Sequence, residues 1–277
     1  EGQTFIDATV NGGGHARAIA EYISPAGKVI GIDWDCDLIR ESGIKNQELG
    51  ITNITLVCDT YVNIKAIAEN QGVRTVDGIL FDLGFSSHHL ERSERGFSFL
   101  RDEPLDMRYN SEDNQLIAER IVNTWQEEEI TKILWEYGEE RWARRIARGI
   151  AEARAKKKIV SSKELADIIV RSIPRHASNR IHPATRTFQA LRIAVNSELE
   201  SLERVLPLAW ELLVPGGRLV VISFHSLEDR MVKIFFKEQE KQGTVRMLTK
   251  KPIRASYEEI RVNPRSRSAR LRGATKI

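Results

Sequence analysis

Over its first hundred residues the sequence alternates short apolar runs with amphipathic stretches, and no other feature narrows its fold so far. Residues 3–9, 28–32, 52–58 and 76–83 read as four strands, with helices predicted over 15–23, 35–41 and 64–70. Strands that return to one sheet through helices lie parallel, and buried parallel strands read as continuous apolar runs. After about residue 110 the pattern changes. Leu116, Ile117, Ile121, Ile130, Ile133, Leu134, Trp142, Ile146 and Ile150 recur at helical spacing, with no strand among them up to about residue 180. A long helix is predicted over 187–213, stopped by Pro215-Gly216-Gly217, and residues 218–224 make a fifth strand. Ser226-Leu227-Glu228-Asp229 has the form of a capping box and opens a further helix. Tyr257, Ile260, Val262, Ala269 and Leu271 read as short strands closing the sheet. The expected class is therefore α/β: a sheet domain over residues 1–109 and 182–277, interrupted by an all-helical insertion over residues 110–181.

The loop Asp7-Ala8-Thr9-Val10-Asn11-Gly12-Gly13-Gly14-His15 sets a glycine cluster between the first strand and first helix. Glycines there let backbone approach a ligand closely, with helix N–H groups facing it. The second strand ends at Asp33, 21 residues after Gly12, and a carboxylate at that distance can accept from both hydroxyls of a ribose. Together they indicate an adenosine-containing cofactor. Dinucleotide sites favour a further glycine inside the helix, but Arg17 stands there, which suits a pyrophosphate poorly. S-adenosylmethionine has no phosphate and carries an ammonium and a sulfonium, so the strand-end acids Asp7, Asp33 and Asp82 suit it. The fourth strand delivers Asp82-Leu83-Gly84-Phe85-Ser86-Ser87 to the carboxyl edge of the sheet, where open α/β folds bind ligands. An acceptor such as Asp82 can hold the N–H of an exocyclic base amine and aim its lone pair at a methyl sulfonium, with Phe85 stacked on the base. The alternative for Asp82 is a carboxylate capping its own loop.

The formal charge of the 277 residues, +3, argues against wholesale polyanion binding, but it hides a segregation. Residues 246–277 hold ten basic residues and two acids, a local +8 that leaves −5 for the other 245. A second basic stretch, residues 139–158, carries +5. Clusters of this kind are expected where phosphates are gripped, although basic faces are commonly just solvated. No apolar run is long enough to span a bilayer, and no signal-peptide layout opens the sequence, so no membrane association is expected. Cys36 and Cys58 lack CxxC spacing, which fits a reducing cytoplasm, and their place near strands two and three disfavours a covalent cysteine mechanism. Strand-like sequence begins at once, so residues are expected to be missing upstream. His88 and His89 lack a suitably spaced third ligand, and no metal site is expected. Trp125, Trp135 and Trp142 are expected in the core of the insertion, with base-stacking platforms as their alternative. His225 either faces substrate or satisfies its own loop, and Ser226 reads as a helix cap rather than a nucleophile.

Eight ordered segments resemble one family. These are Gly12-Gly13-Gly14-His15, Asp82-Leu83-Gly84-Phe85-Ser86-Ser87, Glu94-Arg95-Gly96-Phe97-Ser98-Phe99, Pro104-Leu105-Asp106-Met107-Arg108, Tyr137-Gly138-Glu139-Glu140-Arg141, Thr187-Phe188-Gln189-Ala190-Leu191-Arg192-Ile193-Ala194-Val195-Asn196, Ser223-Phe224-His225-Ser226-Leu227-Glu228-Asp229-Arg230 and Asn263-Pro264-Arg265-Ser266-Arg267-Ser268. They are similar to the bacterial RsmH/MraW family, S-adenosylmethionine-dependent methyltransferases that modify N4 of a cytidine in the decoding centre of 16S rRNA. The resemblance runs from Phe5 to the C-terminus. It implies a class I, Rossmann-like methyltransferase sheet with an inserted helical domain, and a cleft between them that receives the cytidine. For the cofactor it implies Gly13, Gly14, His15, Asp33 and Asp82, with Tyr61 where the family usually has Phe and His89 where it usually has Gln. Asn11 stands where a Gly is usual, a position that Asn tolerates better than most residues. For catalysis the candidates are Asp82, Phe85, Ser86 and His225, with direct methyl transfer. Arg95, Arg108, Arg141, Arg265 and Arg267 are the candidates for RNA contact, Arg95 and Arg108 with internal pairing as their alternative. The implied partner is 16S rRNA or the small ribosomal subunit, in the cytoplasm, as a monomer or a dimer.

Overall fold

The computed structural model of the chain describes residues 2–23, 26–84, 89–90, 93–174 and 181–277. Two compact units divide the chain, residues 1–85 with 199–277, and residues 86–198. The insertion thus begins earlier and ends later than the 110–181 that helical periodicity suggests.

The first unit is a strand and helix alternation. Strands β1 (Thr4–Asp7), β2 (Lys28–Asp33), β3 (Ile54–Cys58), β4 (Val76–Asp82) and β5 (Leu213–Ser223) run parallel in the order β3-β2-β1-β4-β5. Strand β8 (Arg270–Lys276) lies antiparallel beside β5, with β6 (Val245–Met247) beyond it and β7 (Ile253–Arg254) also pairing with β8. Helices α1 (Gly14–Ile23), α2 (Cys36–Glu48) and α3 (Ile64–Asn70) make the first crossovers. Helix α2 outruns the expected 35–41 by a full two turns, and Asp35, its N-cap, accepts from the Asp37 N–H at 3.0 Å. Ile6, Ile30, Ile32, Ile79, Phe81, Leu219 and Val221 are almost fully buried on one face of the sheet, and Val29 packs against Ala16, Ala20 and Ile23 of α1 on the other. Against the expectation of a reducing compartment, Cys36 and Cys58 are joined in a disulfide, their Cα atoms 5.1 Å apart, tying the start of α2 to the end of β3.

The second unit contains helices α4 (Ala118–Thr124), α5 (Glu127–Glu136), α6 (Ala143–Arg154), α7 (Ser162–Ser172) and α8 (Ala184–Asn196). Ile121, Ile130, Leu134, Ile146, Ile150, Ile169 and Leu191 form its core, and Phe97, Leu105 and Met107 from the preceding loop join them. Those loop residues are why the unit begins before residue 110. Gly96 holds that loop at φ +76°, where a side chain would strike the Pro104 carbonyl.

Helix α9 (Glu198–Leu212) leads back into the sheet unit, so the single helix expected over 187–213 is two. The break is Ser197, left-handed at φ 48° and ψ 41°. Asn196 fixes it: its side-chain amide donates to the Met107 carbonyl at 2.8 Å, and its amide oxygen accepts from the Tyr109 N–H at 2.9 Å. Helix α10 (Ser226–Lys241) opens on a capping box shifted by one residue: His225, not Ser226, is the N-cap, paired with Glu228. The expected strand at Tyr257 is instead a short helix, α11 (Tyr257–Val262), capped by Ser256 accepting from the Glu259 N–H at 3.1 Å. Among the described residues no helix is long and apolar enough to cross a membrane.

Candidate active site

The carboxyl edge of the sheet opens where β1, with crossovers to either side, sits between β2 and β4, the switch point at which such folds bind ligands. Four acids line this edge: Asp7, Asp33 and Asp82 end β1, β2 and β4, and Asp59 follows β3. Asp59 escaped the sequence reading, although an acid directly after an apolar run was the signal used for the other three. Its carboxylate is engaged locally, accepting from Thr60 N–H at 2.7 Å and the Asn63 amide at 2.9 Å.

The glycine loop is held to this edge by Asn11. At φ 49° its N–H donates to Asp33 Oδ2 at 2.7 Å, and its side-chain amide reaches the Thr9 carbonyl at 3.3 Å. The other Asp33 oxygen accepts from the Asp35 N–H at 2.9 Å. Thr9 completes the tie by accepting from the Asp82 N–H at 2.6 Å. Asn11, where glycine is usual, is therefore a linking residue rather than a vacancy.

The glycines divide by purpose. Gly13 is buried at φ +74°, a backbone conformation that side-chain-bearing residues rarely adopt, so the loop itself favours glycine there. Gly14 opens α1 at negative φ, and a Cβ on it would meet no described atom within 4 Å. Neither backbone strain nor packing requires glycine at 14, which is exposed and open on its side-chain face. Gly14→Ala is expected to leave the thermal midpoint nearly unchanged and to weaken S-adenosylhomocysteine about tenfold or more, by loss of close approach. Equal loss of both in calorimetry would return Gly14 to a structural role.

Asp7 is fully buried; one oxygen accepts from the Thr9 N–H at 3.2 Å, and Oδ2 has no partner among the described residues. Asp82 Oδ1 is likewise buried without a partner, while Oδ2 lies 3.7 Å from His15 Nε2, a salt-bridge separation rather than a hydrogen bond. The Asp82 carboxylate holds the half-exposed His15 imidazole above its ordinary value. Burial pushes the Asp7 carboxyl from 3.8 up to about 7, with Asp33 and Asp82 adding to the rise against the Thr9 N–H and His15. Two orphaned acceptors in one acid-rich edge fit a ligand that brings N–H donors and positive charge, and fit a phosphate poorly.

The Asp7 shift has a signed consequence. Between about pH 4 and 7 the folded chain keeps a proton on Asp7 that the unfolded chain has lost, so stability falls as pH rises through that window and levels off above it. Asp7→Asn removes this penalty. At pH 8 it is expected to stabilise the ligand-free protein by about 2–4 kcal/mol, and at pH 4 to change it little. Chemical denaturation at the two pH values tests this; equal effects at both would mean that Asp7 is not the group.

Other sequence candidates fall elsewhere. Phe85, Ser86 and His88 lie outside the described residues. Tyr61, in a 3-10 turn after β3, packs edge-on against Phe81 with ring centroids 5.6 Å apart. His225 is only 8% exposed; its Nδ1 accepts from the Glu228 N–H at 3.4 Å, and its Nε2 lies 3.1 Å from Glu228 Oε1 without hydrogen-bond alignment. The structure thus gives His225 the helix-capping job. His89 belongs to the second unit and is buried between Phe97 and Tyr109, at centroid distances of 5.1 and 5.0 Å.

The basic residues also sort themselves. Arg108 grips Asp106 with two bonds of 2.8 and 2.7 Å and donates to the Ser111 and Asn114 carbonyls, while Arg95 donates to the Tyr109 carbonyl at 2.8 Å. Both therefore fasten the insertion's leading loop. Of the ten C-terminal basic residues, Arg270 and Arg272 pair with Asp229, and Lys276 donates to the Trp210 and Leu213 carbonyls at 2.8 Å. Arg246, Lys250, Lys251, Arg254, Arg261, Arg265 and Arg267 remain exposed, as does Arg141 in the insertion. Trp135 corrects the expectation of three core tryptophans: it is 63% exposed, while Trp125 and Trp142 pack against the core.

The strand order defines a Rossmann-like α/β protein, and an edge suited to a cation rather than a pyrophosphate narrows that class to a methyltransferase. The chain belongs to the MraW methylase family, which it matches over residues 1–277. It is 48% identical over 290 residues to the Ribosomal RNA small subunit methyltransferase H of Heliobacterium modesticaldum, covering 99% of this chain and 92% of that one. The protein of the same name from Symbiobacterium thermophilum is 46% identical, covering 100% and 91%, and that from Clostridium botulinum strain Kyoto is 44% identical, covering 100% and 94%.

Proposed function

We propose that this protein transfers the methyl group of S-adenosylmethionine to the exocyclic N4 amine of a cytidine in the decoding centre of 16S rRNA, in the cytoplasm. The observation that carries the cofactor assignment is the pair of orphaned acceptors, Asp7 Oδ2 and Asp82 Oδ1, beside a glycine with no packing reason to be glycine. The rRNA assignment draws on the names of the relatives and on the exposed basic residues.

Bound there, S-adenosylmethionine supplies an electrophilic methyl on sulfur. The protein's residues do the rest. Asp33 takes the ribose hydroxyls, Gly13 and Gly14 admit the ligand to the loop backbone, and Tyr61 supplies an apolar wall. Asp7 and Asp82 face the ammonium and sulfonium end. An amine conjugated into a pyrimidine ring is a weak nucleophile, and an acceptor that holds one N–H restores lone-pair character at the nitrogen. Asp82 is suited to that work, and Phe85 and Ser86, three and four residues further on, are suited to hold the ring. The exposed arginines and lysines, Arg141, Arg265 and Arg267 among them, grip phosphate.

The test is methylation of small ribosomal subunits lacking this modification, followed by mass spectrometry of the nucleosides. N4-methylcytidine at one decoding-centre position supports the reading, and methyl transfer to any other atom or residue overturns it. Raising salt from 50 to 200 mM is expected to weaken RNA binding by orders of magnitude while leaving cofactor binding nearly unchanged.

A further inference from the structure

The helical unit carries a groove of about 870 Å³ that the cofactor edge does not explain. It lies along the outer faces of α5 and α6, and its volume falls within the ~300–1,000 Å³ typical of small-molecule sites. On α5 the core face is Ile130, Ile133 and Leu134, and the groove face is Glu128, Thr131, Lys132 and Trp135, four positions that share one side of a helix. Trp142, Arg141, Arg144 and Arg145 line the other wall. The Arg141 and Arg145 guanidinium carbons stand 5.2 and 5.6 Å from the Trp142 ring centroid, so these two cations are parked on an aromatic face rather than free in water. Trp135 is 63% exposed, the largest exposed hydrophobic side chain among the described residues.

Lys132, Arg141, Arg144 and Arg145 set four positive charges against Glu127 and Glu128. An anionic occupant is therefore favoured. A basic groove by itself suits an acidic peptide as well as a nucleic acid, but an exposed indole suits a base: every base has a face to stack, and stacking on aromatic rings and guanidinium planes is how proteins hold unpaired nucleotides. We propose that this groove binds an unpaired nucleotide of the substrate RNA, its base stacked on Trp135 and its flanking phosphates held by Arg144 and Arg145. This is a second RNA contact besides the reacting cytidine, and it rests on the reading of the substrate as rRNA.

The test is fluorescence anisotropy with a labelled 12-nucleotide single-stranded RNA and a 12-base-pair RNA duplex. Wild type is compared with Trp135→Ala, Trp135→Phe and the double variant Arg144→Glu/Arg145→Glu, and an unchanged helical circular-dichroism signal and thermal midpoint show that the helical unit of each is folded. Trp135→Ala is expected to weaken the single strand about tenfold and leave the duplex unchanged, and Trp135→Phe to keep most of the affinity. The double charge reversal is expected to weaken both RNAs and flatten the salt dependence. Single-strand affinity unchanged in Trp135→Ala overturns the proposal, as does an equal loss for the duplex. If wild type methylates small subunits while Trp135→Ala binds the single strand normally, only the groove assignment fails. If wild type neither binds the strand nor methylates subunits, the rRNA reading falls with it. Lost subunit binding with normal single-strand binding in Trp135→Ala gives the groove to a protein partner and overturns the RNA assignment.

Discussion

Replacing Asp82 with asparagine is expected to lower methyl transfer about a hundred- to a thousandfold while the protein stays folded. The substitution keeps the shape, and the fold uses the backbone of Asp82 more than its carboxylate: its N–H donates to Thr9 Oγ1, but Oδ1 has no partner among the described residues. On the proposed role, asparagine loses the negative charge that would face the methyl donor and half of the acceptor capacity that would be offered to the amine. S-adenosylhomocysteine, which lacks the sulfonium, should lose far less affinity than the rate loses. A second readout is independent of turnover. Since the Asp82 carboxylate raises His15, the imidazole should titrate lower in Asp82→Asn, as NMR of the ring protons would show. Unchanged transfer would remove Asp82 from the mechanism, and an unshifted His15 would remove the pair.

The largest effect on stability is expected at Asp229. This acid on α10 accepts from Arg272 at 2.7 Å and from Arg270 at 3.0 Å on β8, and Asp229 and Arg272 are both more than nine-tenths buried. Burial alone would push Asp229 up, but Arg272 and Arg270 outweigh it and hold the carboxyl below its usual value. The depressed value means that the stability this group contributes is present near neutral pH and is lost as pH falls through the ordinary carboxylate range. Asp229→Asn leaves a buried guanidinium without its counter-charge, at a cost of about 3–5 kcal/mol. Asp229→Leu combined with Arg272→Met should recover most of that loss, because an apolar pair of similar volume replaces a buried ion pair at little cost. Urea denaturation of the single and double variants decides it; a double variant no better than the single would mean that the ions are not the reason.

The strands and three of the acids at their ends were legible because both are local signals. An apolar run marks a covered parallel strand and a carboxylate closing it marks the strand's end; the first four strands stand where those signals put them, with Asp7, Asp33 and Asp82 at their ends, while Asp59 was passed over. What escaped was decided by partners distant in sequence. The break at Ser197 depends on Asn196 binding backbone near residue 108, some 90 positions away, so periodicity runs straight through it. The insertion starts early because Phe97, Leu105 and Met107 find their core in helices that come later. Residue type points to Ser226 as the cap, but the helix starts there and the ring of His225 accepts from the Glu228 N–H instead, which only the backbone geometry reveals. Charge counting fails for the same reason, since Arg270, Arg272 and Lys276 look like phosphate-binding residues until their internal acceptors are known.

The interrupted sheet also fixes an order of events during synthesis. Residues 86–198 form one unbroken segment whose contacts are complete once it has emerged, so it can condense while the chain is still growing. The sheet cannot follow that schedule. Strand β4 waits for β5 across more than a hundred residues, and β5 in turn waits for β8, which is made last and inserts between it and β6. Strand β4 offers an open, apolar edge until β5 covers it, and β5 offers one until β8 does, each a template for pairing with the wrong neighbour. Translation that stalls just before residue 270 should therefore yield a sound helical unit attached to a sheet whose β5 edge is open to aggregation.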